Sequence, residues 1–208
     1  MAKRQKNMKS DSVALENTII LGLVRSGTSV LDLGCGDGEL LSLLMTENKS
    51  KVQGIEIDEQ AVYKCVARGV SVLHGDIDSG LQDFPDKSFD YVILNQSFQQ
   101  LKMPDVVLKE SLRVGKEVIV SFPNFAHYSA RLQILFSGKT PITTSLPYEW
   151  YDTPNLHFLS ISDFIDYCRR RHIAIRKTAF VAANRRVNVF PNLFALAGIF
   201  LISNGKAP

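Results

Sequence analysis

The sequence predicts a single α/β domain in which helices cover both faces of a mostly parallel, seven-stranded sheet. Apolar runs typical of buried strands alternate with segments of helical periodicity as far as residue 122. A glycine-rich turn follows the first of these runs, where α/β sheets bind their ligands. The chain has 208 residues and 45% hydrophobic content, enough for one core of ordinary size.

The same patterns predict the elements in chain order. A basic, polar start predicts a flexible tail over 1–10, and the domain then occupies 11–208. Helical periodicity predicts helices at 13–24, 39–45, 59–68, 104–112, 126–136 and 162–171. Apolar and β-branched runs predict strands at 29–33, 52–57, 70–73, 89–94 and 117–122, with two final strands at 173–176 and 193–203.

One long connection lies within residues 126–160. Its part from 138 to 154 contains three prolines and the aromatic residues Tyr148, Trp150 and Tyr151. A connection of this length in a compact domain is typical of a lid, a binding loop or a partner surface. Packing of the aromatic side chains against the protein's own sheet is the alternative.

The glycine-rich turn places Gly34, Gly36 and Gly38 between the first strand and the following helix. This spacing differs from the G-x-G-x-x-G of dinucleotide-binding turns, and Asp32 adds a carboxylate just before it. A helix N-terminus surrounded by carboxylates suits a ligand that carries positive charge, such as S-adenosylmethionine with its sulfonium and ammonium groups. A turn that only joins strand to helix is the alternative.

Polar residues end the next strands at the same edge of the sheet. Glu56 lies 22 positions after Gly34, at the distance where an acidic residue binds the hydroxyls of a ribose. Asp76 could accept a hydrogen bond from an adenine amino group, and the Ile77 N–H could serve a ring nitrogen. Asn95 ends the fourth strand and could face a reacting methyl group. A solvated strand end, a turn or a helix cap is the structural alternative for each.

Several segments carry a family resemblance. V-L-D-L-G-C-G-D-G (30–38) resembles motif I of class I S-adenosylmethionine-dependent methyltransferases. The segments at 94–101 (L-N-Q-S-F-Q-Q-L), 113–125 (R-V-G-K-E-V-I-V-S-F-P-N-F) and 145–158 (S-L-P-Y-E-W-Y-D-T-P-N-L-H-F) are similar to the MetW family of bacterial methionine-biosynthesis proteins. The resemblance extends over about residues 11–203.

The resemblance implies a Rossmann-like class I methyltransferase domain that binds S-adenosylmethionine or S-adenosylhomocysteine. It also implies a role in methionine biosynthesis with homoserine O-acyltransferase as partner or target. An active methyltransferase on an unidentified small molecule is the alternative, and fold alone does not establish turnover. The cofactor-binding residues implied are Asp32, Gly34, Cys35, Gly36, Gly38, Glu56, Ile57, Asp76, Ile77 and Asn95.

No decisive catalytic base stands out, and the weak candidates are His157, Asn95 and Tyr148. The three cysteines have no metal-site spacing, so we expect no metal and a reducing cytoplasm. A net charge of +3 indicates neither nucleic acid nor a membrane as partner. The apolar run at 193–203 is about half the length that a bilayer requires.

Overall fold

The structure is a computed structural model that describes residues 2–205, with side chains from residue 13 onward. Its first element, α1 (Ala2–Leu23), starts earlier than the predicted helix. The predicted flexible tail falls on residues 1–10, whose side chains lie outside the described part, and so it stays a prediction. No helix within the described residues is long and apolar enough to cross a bilayer.

Strands and helices then alternate as the sequence predicts. The first part comprises β1 (Ser29–Leu33), α2 (Glu39–Thr46), β2 (Lys51–Glu56), α3 (Glu59–Ala67), β3 (Val72–His74), β4 (Phe89–Asn95), α4 (Pro104–Val114) and β5 (Gly115–Pro123). The second part comprises α5 (Tyr128–Ser137), α6 (Ile161–Arg170), β6 (Ile173–Ala182), β7 (Arg185–Arg186), α7 (Pro191–Phe194) and β8 (Ala197–Asn204). Short 3-10 turns follow β3 at Ile77–Ser79 and β4 at Phe98–Gln100.

The strands form one sheet in the order β3-β2-β1-β4-β5-β8-β6-β7. The pairs among β1 to β5 are parallel, whereas β8 is antiparallel to both β5 and β6. The prediction of a mostly parallel α/β sheet is therefore confirmed. The carboxyl ends of β1, β2, β3 and β4 meet at one edge, which is where the predicted site residues lie.

Two details of the prediction are wrong. The sheet has eight strands, because the two-residue β7 adds an antiparallel edge to β6. The last strand begins at Ala197, since Leu193 and Phe194 belong to the short helix α7. Pro191 at the first position of α7 explains this, because its fixed φ favours the start of a helix.

The core has two layers because side chains alternate across the sheet. In β1, Val30 packs with α1, α2 and α3, whereas Leu31 packs with α4 and α6. Asp32 therefore points toward the layer that contains α1. A cluster of phenylalanine rings, with centroids 4.8–5.6 Å apart, anchors α6 to β5 and β8.

Candidate functional site: a cleft at the carboxyl edge of the sheet

The glycine turn after β1 has a left-handed backbone at its alternate glycines, a conformation that residues other than glycine rarely adopt. At Gly34 (φ 77°), an added Cβ would lie 2.9 Å from the Cβ of Ser97, so close packing also requires a glycine there. At Gly36 (φ 57°), an added Cβ would meet nothing within 4 Å. Gly36 therefore presents bare backbone to open space, where a ligand can approach.

Two of the predicted turn residues serve packing. An added Cβ at Gly38 would lie 2.9 Å from the Cys65 Sγ, so this glycine seats the turn on α3. The Cys35 Sγ lies 3.8 Å from the same sulfur, and both thiols are buried. Burial is the main cause that raises the pKa of each thiol, which keeps both sulfurs protonated and unreactive.

Glu56 connects the turn to the end of β2. Its Oε2 accepts the Gly36 N–H at 2.8 Å, and its Oε1 accepts the N–H groups of Ile57 and Asp58 at 2.9 Å. A carboxylate offers about four acceptor sites, so three are already used. Glu56 could therefore bind one further hydroxyl directly, and binding both hydroxyls of a ribose requires one backbone hydrogen bond to be shared.

Asp32 is a buried carboxyl group behind the turn. Its side chain is 2% exposed, and its Oδ1 has no hydrogen-bond partner. Burial, followed by repulsion from the Glu56 carboxylate, raises the pKa of Asp32 to about 7. A buried polar atom without a partner is rare in proteins and needs an explanation, and a cationic ligand nearby would supply one.

A cleft of about 390 Å³ opens beside Gly36 and the end of β2, within the ~300–1,000 Å³ range of small-molecule sites, and Asp32 is not part of its lining. Six predicted cofactor-binding residues line it: Gly34, Gly36, Glu56, Ile57, Asp76 and Ile77. Ile57 and Ile77 give the cleft its apolar rim. Ile77 also begins a 3-10 turn, so its N–H has no partner within that turn.

The two aspartates beside Ile77 have different local roles. Asp76 accepts the Asp78 N–H at 2.9 Å and so caps the turn. The Asp78 carboxylate accepts the N–H groups of Lys102 and Met103 at 3.0–3.1 Å, which fixes the start of α4 to this wall of the cleft. Asp78 therefore shapes the cleft through the backbone.

A second cavity of about 200 Å³ adjoins the cleft, because Gln96 and Gln100 line both. Helix α1 supplies Glu16, whose Oε2 accepts the Gln96 Nε2 at 2.7 Å, and the long connection supplies Tyr148. The sequence analysis missed Glu16. The sequence signal for Glu16 was weak, because it consists of a Glu-Asn pair that interrupts the apolar stripe of α1. The structure shows that both of these polar side chains are buried.

The weak catalytic candidates occupy different places. Asn95 is half-buried, and its side chain accepts the Ser121 hydroxyl at 2.6 Å and donates to Asn17 at 3.5 Å. Tyr148 lines the second cavity. His157 is exposed, outside the lining of either cavity, and its backbone N–H donates to the Gln99 carbonyl at 3.0 Å. A catalytic role for any of them stays a prediction.

Electrostatic and steric features together suit a ligand with a cationic end and a hydroxyl-bearing end. Asp32 lies behind the turn and Glu56 beside it, while Gly36 leaves room for close approach. Among the described residues, no group of three or more His, Cys, Asp or Glu side chains is arranged to hold a metal ion.

Comparison with known families gives a match over most of the chain. The profile of the family described as "Methionine biosynthesis protein MetW" matches residues 15–202. A bifunctional methionine biosynthesis protein MetXA/MetW from Rhodopirellula baltica is 32% identical over 182 residues, which are 83% of this chain and 29% of that protein. A ribosomal protein L11 methyltransferase from Burkholderia lata is 36% identical over 99 residues, 47% of this chain and 33% of that protein. The chain thus spans about a third of the length of these relatives.

Solved structures share the fold at low sequence identity. A Haloferax volcanii structure, the complex of the Trm112 methyltransferase activator with the protein it binds, has a TM-score of 0.69 at 18% identity, covering 98% of this chain and 94% of that one. A SAM-dependent methyltransferase from Thermotoga maritima has a TM-score of 0.65 at 17% identity, covering 97% and 93%. These likenesses confirm the predicted class I methyltransferase fold.

Proposed function

Because this chain belongs to the MetW family of methionine biosynthesis proteins, we propose that it binds S-adenosylmethionine or S-adenosylhomocysteine in the cleft beside Gly36. The observation that carries this proposal is the open side of Gly36, whose N–H donates to the Glu56 carboxylate and which follows the buried Asp32 carboxyl by four positions. S-adenosylmethionine, when bound, supplies an activated methyl group. The chain's own residues bind and orient it.

Each wall of the cleft has a part in this proposal. Asp32 attracts the cationic end of the ligand, and Glu56 accepts a ribose hydroxyl. Asp76 and the Ile77 N–H recognise the adenine edge, while the side chains of Ile57 and Ile77 cover its faces. Ile57 is 61% exposed without a ligand, so an aromatic ring stacked on it removes apolar surface from water.

A matched pair of glycine variants tests the proposal. Gly36→Ala and Gly138→Ala both place a Cβ at positive φ, at 57° and 64°, and neither Cβ meets an atom within 4 Å. Both changes therefore cost similar backbone strain, about 1–2 kcal/mol. Only the first fills the cleft, because Gly138 ends α5.

Calorimetric titration with S-adenosylhomocysteine should detect binding to the wild type and to Gly138→Ala. Gly36→Ala should bind at least about tenfold more weakly, which corresponds to some 1.4 kcal/mol. Equal affinity of the two variants would place the ligand elsewhere and contradict the proposal. Thermal unfolding of both variants provides the control for folding.

We further propose that the protein acts with homoserine O-acyltransferase. The Rhodopirellula baltica relative is described as MetXA/MetW, and this chain matches only 29% of it, which leaves room for a second module. Linking two modules in one chain raises the effective concentration of each for the other, which favours contact between them. The proposal needs an exposed contact surface on this chain.

The long connection and α5 provide that surface. Trp150 and Tyr151 are 71% and 72% exposed, with ring centroids 5.5 Å apart, so the alternative of burial against the sheet does not hold for them. Leu135 and Phe136 on α5 are 73% and 81% exposed. Exposed aromatic and aliphatic side chains of this kind are typical anchors at protein interfaces.

Size-exclusion chromatography with the homoserine O-acyltransferase of the same organism tests the contact. We expect a complex with the wild type that is lost or at least tenfold weaker with Trp150→Ala. Tyr63→Ala is the matched control, because Tyr63 is also an exposed aromatic residue (57%) but lies on α3. Retention of the complex by Trp150→Ala, or equal loss with both variants, would contradict docking at this surface.

The second candidate function is methyl transfer to a small molecule. The second cavity favours it, since Gln96 and Gln100 connect that cavity to the cleft. In such a reaction the protein mainly aligns nucleophile and methyl group. A methylated product in stoichiometric excess over the protein establishes turnover, and its absence with the acyltransferase present leaves the first function.

A further inference from the structure

A second group of exposed apolar side chains lies beside α5, on the turn that leads into α7. Val189 and Phe190 are 66% and 71% exposed, and Phe194 at the end of α7 is 44% exposed. The centroid of the Phe194 ring lies 6.1 Å from that of Tyr128, the first residue of α5. Exposed apolar side chains that adjoin one another are typical of interaction surfaces.

Helix α5 joins this turn to the surface that we propose for the acyltransferase. The exposed apolar residues of α5 recur at helical spacing and so form one stripe along the helix. They are Tyr128, Leu132, Leu135 and Phe136, which are 46–81% exposed. The stripe is about 12 Å long, at a rise of about 1.5 Å per residue. The apolar surface therefore continues from the turn before α7 to the end of α5.

Two side chains of α5 connect the helix to the segments on either side of it. The Arg131 Nε donates to the Ala126 carbonyl at 2.6 Å, and its Nη2 donates to the carbonyl of Asn192 on α7 at 3.5 Å. On the other side, the Gln133 Nε2 donates to the Ile142 carbonyl and the Gln133 Oε1 accepts the Ile142 N–H, both at 3.0 Å. Because these segments are held together, the surface loses little conformational entropy when a partner binds.

The backbone of Phe190 is strained, although its side chain is not buried. Its φ is 45°, in the left-handed region that bulky residues rarely adopt. Pro191 follows directly and begins α7. Strain of this kind persists where the surrounding structure enforces it, and it is concentrated at functional positions. Here it maintains an exposed ring, which favours contact of that ring with a partner.

Positive charge borders this surface at the hairpin between β6 and β7. Strand β6 is parallel to β5, because β8 is antiparallel to both, so the hairpin lies at the edge of the sheet where α5 begins. Arg185 and Arg186 form β7 and are exposed, and neither has an ion pair with a described residue. Arg186 precedes Phe190 by four positions, which extended chain spans in at most about 14 Å.

The net charge of the chain conceals an uneven distribution. Residues 167–208 contain eight lysine and arginine residues and no aspartate or glutamate. The whole chain has 24 basic and 21 acidic residues, so residues 1–166 have 16 basic against 21 acidic residues and a net charge of −5. The part of the chain that forms β6, β7 and α7 is therefore basic, and it complements an acidic surface.

From these observations we propose that the contact with the acyltransferase extends across α5 onto α7 and the β6–β7 hairpin. The partner provides an apolar pocket for Phe190 and carboxylates opposite Arg185 and Arg186. This inference rests on the proposed association with homoserine O-acyltransferase. Aromatic side chains bury about 150–250 Å² each, so Phe190 together with Trp150 and Tyr151 supplies a large part of the ~800 Å² per partner that a stable complex buries.

Variants of Phe190 test the apolar part of this contact. In calorimetric titrations with the homoserine O-acyltransferase of the same organism, Phe190→Ala should bind at least tenfold more weakly than the wild type. Phe190→Gly should lose as much affinity, while its thermal unfolding temperature stays close to that of the wild type, because glycine adopts φ 45° without strain. Tyr63→Ala, on α3, is the control and should bind within about twofold of the wild type.

A pair of charge reversals tests the hairpin. Arg185→Glu combined with Arg186→Glu should weaken binding at least tenfold at low ionic strength, and it should remove most of the salt dependence of the association rate. The matched control is Lys49→Glu combined with Lys51→Glu. It changes the net charge equally, but at the start of β2, which lies at the opposite edge of the sheet. Its affinity should stay within about twofold of that of the wild type.

The outcomes separate this inference from the association on which it rests. Absence of any complex with the wild type would overturn both. A complex that is weakened by Trp150→Ala but unchanged by Phe190→Ala, or unchanged by reversal of the hairpin charges, would overturn only the extension of the contact. Equal weakening by the matched control would also overturn it.

Discussion

Replacement of Asp32 by asparagine should make the protein more stable at alkaline pH and weaker in binding S-adenosylmethionine. Asp32 is 2% exposed, and its pKa is raised to about 7 by burial and by the Glu56 carboxylate. The folded state therefore favours the protonated acid. Above pH 7 the protein must bury a charge near another carboxylate, and asparagine removes that cost.

The magnitude follows from the pKa shift. A rise from 3.8 to about 7 corresponds to roughly 4 kcal/mol, at about 1.4 kcal/mol per pH unit. Because the folded pKa is raised, the stability contributed by Asp32 is present below about pH 4 and is lost as pH rises through 7. The wild type should therefore lose on the order of 3 kcal/mol relative to Asp32→Asn between pH 4.5 and 8.

Urea unfolding of both proteins at several pH values measures this difference directly. The change in the difference with pH is the diagnostic quantity, since any constant cost of burying the asparagine amide cancels. Wild-type affinity for S-adenosylmethionine should also rise between pH 6 and 8, with proton release, and the variant should show neither effect. Parallel stability curves across this pH range would refute the reasoning.

Other substitutions have expected outcomes of different kinds. Asp90→Asn should lower stability from pH 5 upward, because Lys116 and then Ser29 lower the pKa of Asp90 to about 2, and pH-dependent urea unfolding checks it. Phe164→Ala should cost about 3–5 kcal/mol in urea unfolding, since this 1%-exposed ring packs between neighbouring phenylalanines. Glu56→Gln should weaken calorimetric S-adenosylhomocysteine binding and lower stability by about 1–3 kcal/mol, because one backbone N–H loses its acceptor. Unchanged affinity for Glu56→Gln would contradict its assigned place in the cleft.

Local patterns were sufficient to predict the carboxyl edge of the sheet. The bounds of β1 agree with the prediction, and Glu56 meets the glycine turn through a 2.8 Å hydrogen bond to Gly36. Both follow from rules of short range, namely apolar runs for strands and the spacing between a turn and the next strand end. The six predicted residues that line the cleft all come from such positions.

Contacts between distant segments were not predictable in the same way. Glu16 reaches Gln96 across 80 positions because α1 packs on the face of the sheet to which β1 turns Asp32. Cys35 and Cys65 meet because Gly38 leaves room for the Cys65 sulfur. Such contacts depend on how the helices pack against the sheet, and no local periodicity of the sequence indicates them.

The wrong boundary at the last strand has a local cause. An apolar run such as 193–203 fits a strand or a buried helix equally well. Pro191 resolves the ambiguity, because it begins the helix that includes Leu193 and Phe194. The exposed aromatic pair Trp150 and Tyr151 is a different case. The composition of the long connection suggested a partner surface, but the exposure of these two side chains could be established only from the structure.

A crystal structure of the chain with S-adenosylhomocysteine tests the central claim most directly. We predict the ligand in the cleft beside Gly36, with a ribose hydroxyl on Glu56 and the adenine between Ile57 and Ile77. A ligand bound elsewhere, or a cleft that stays empty at saturating ligand concentration, would contradict the account.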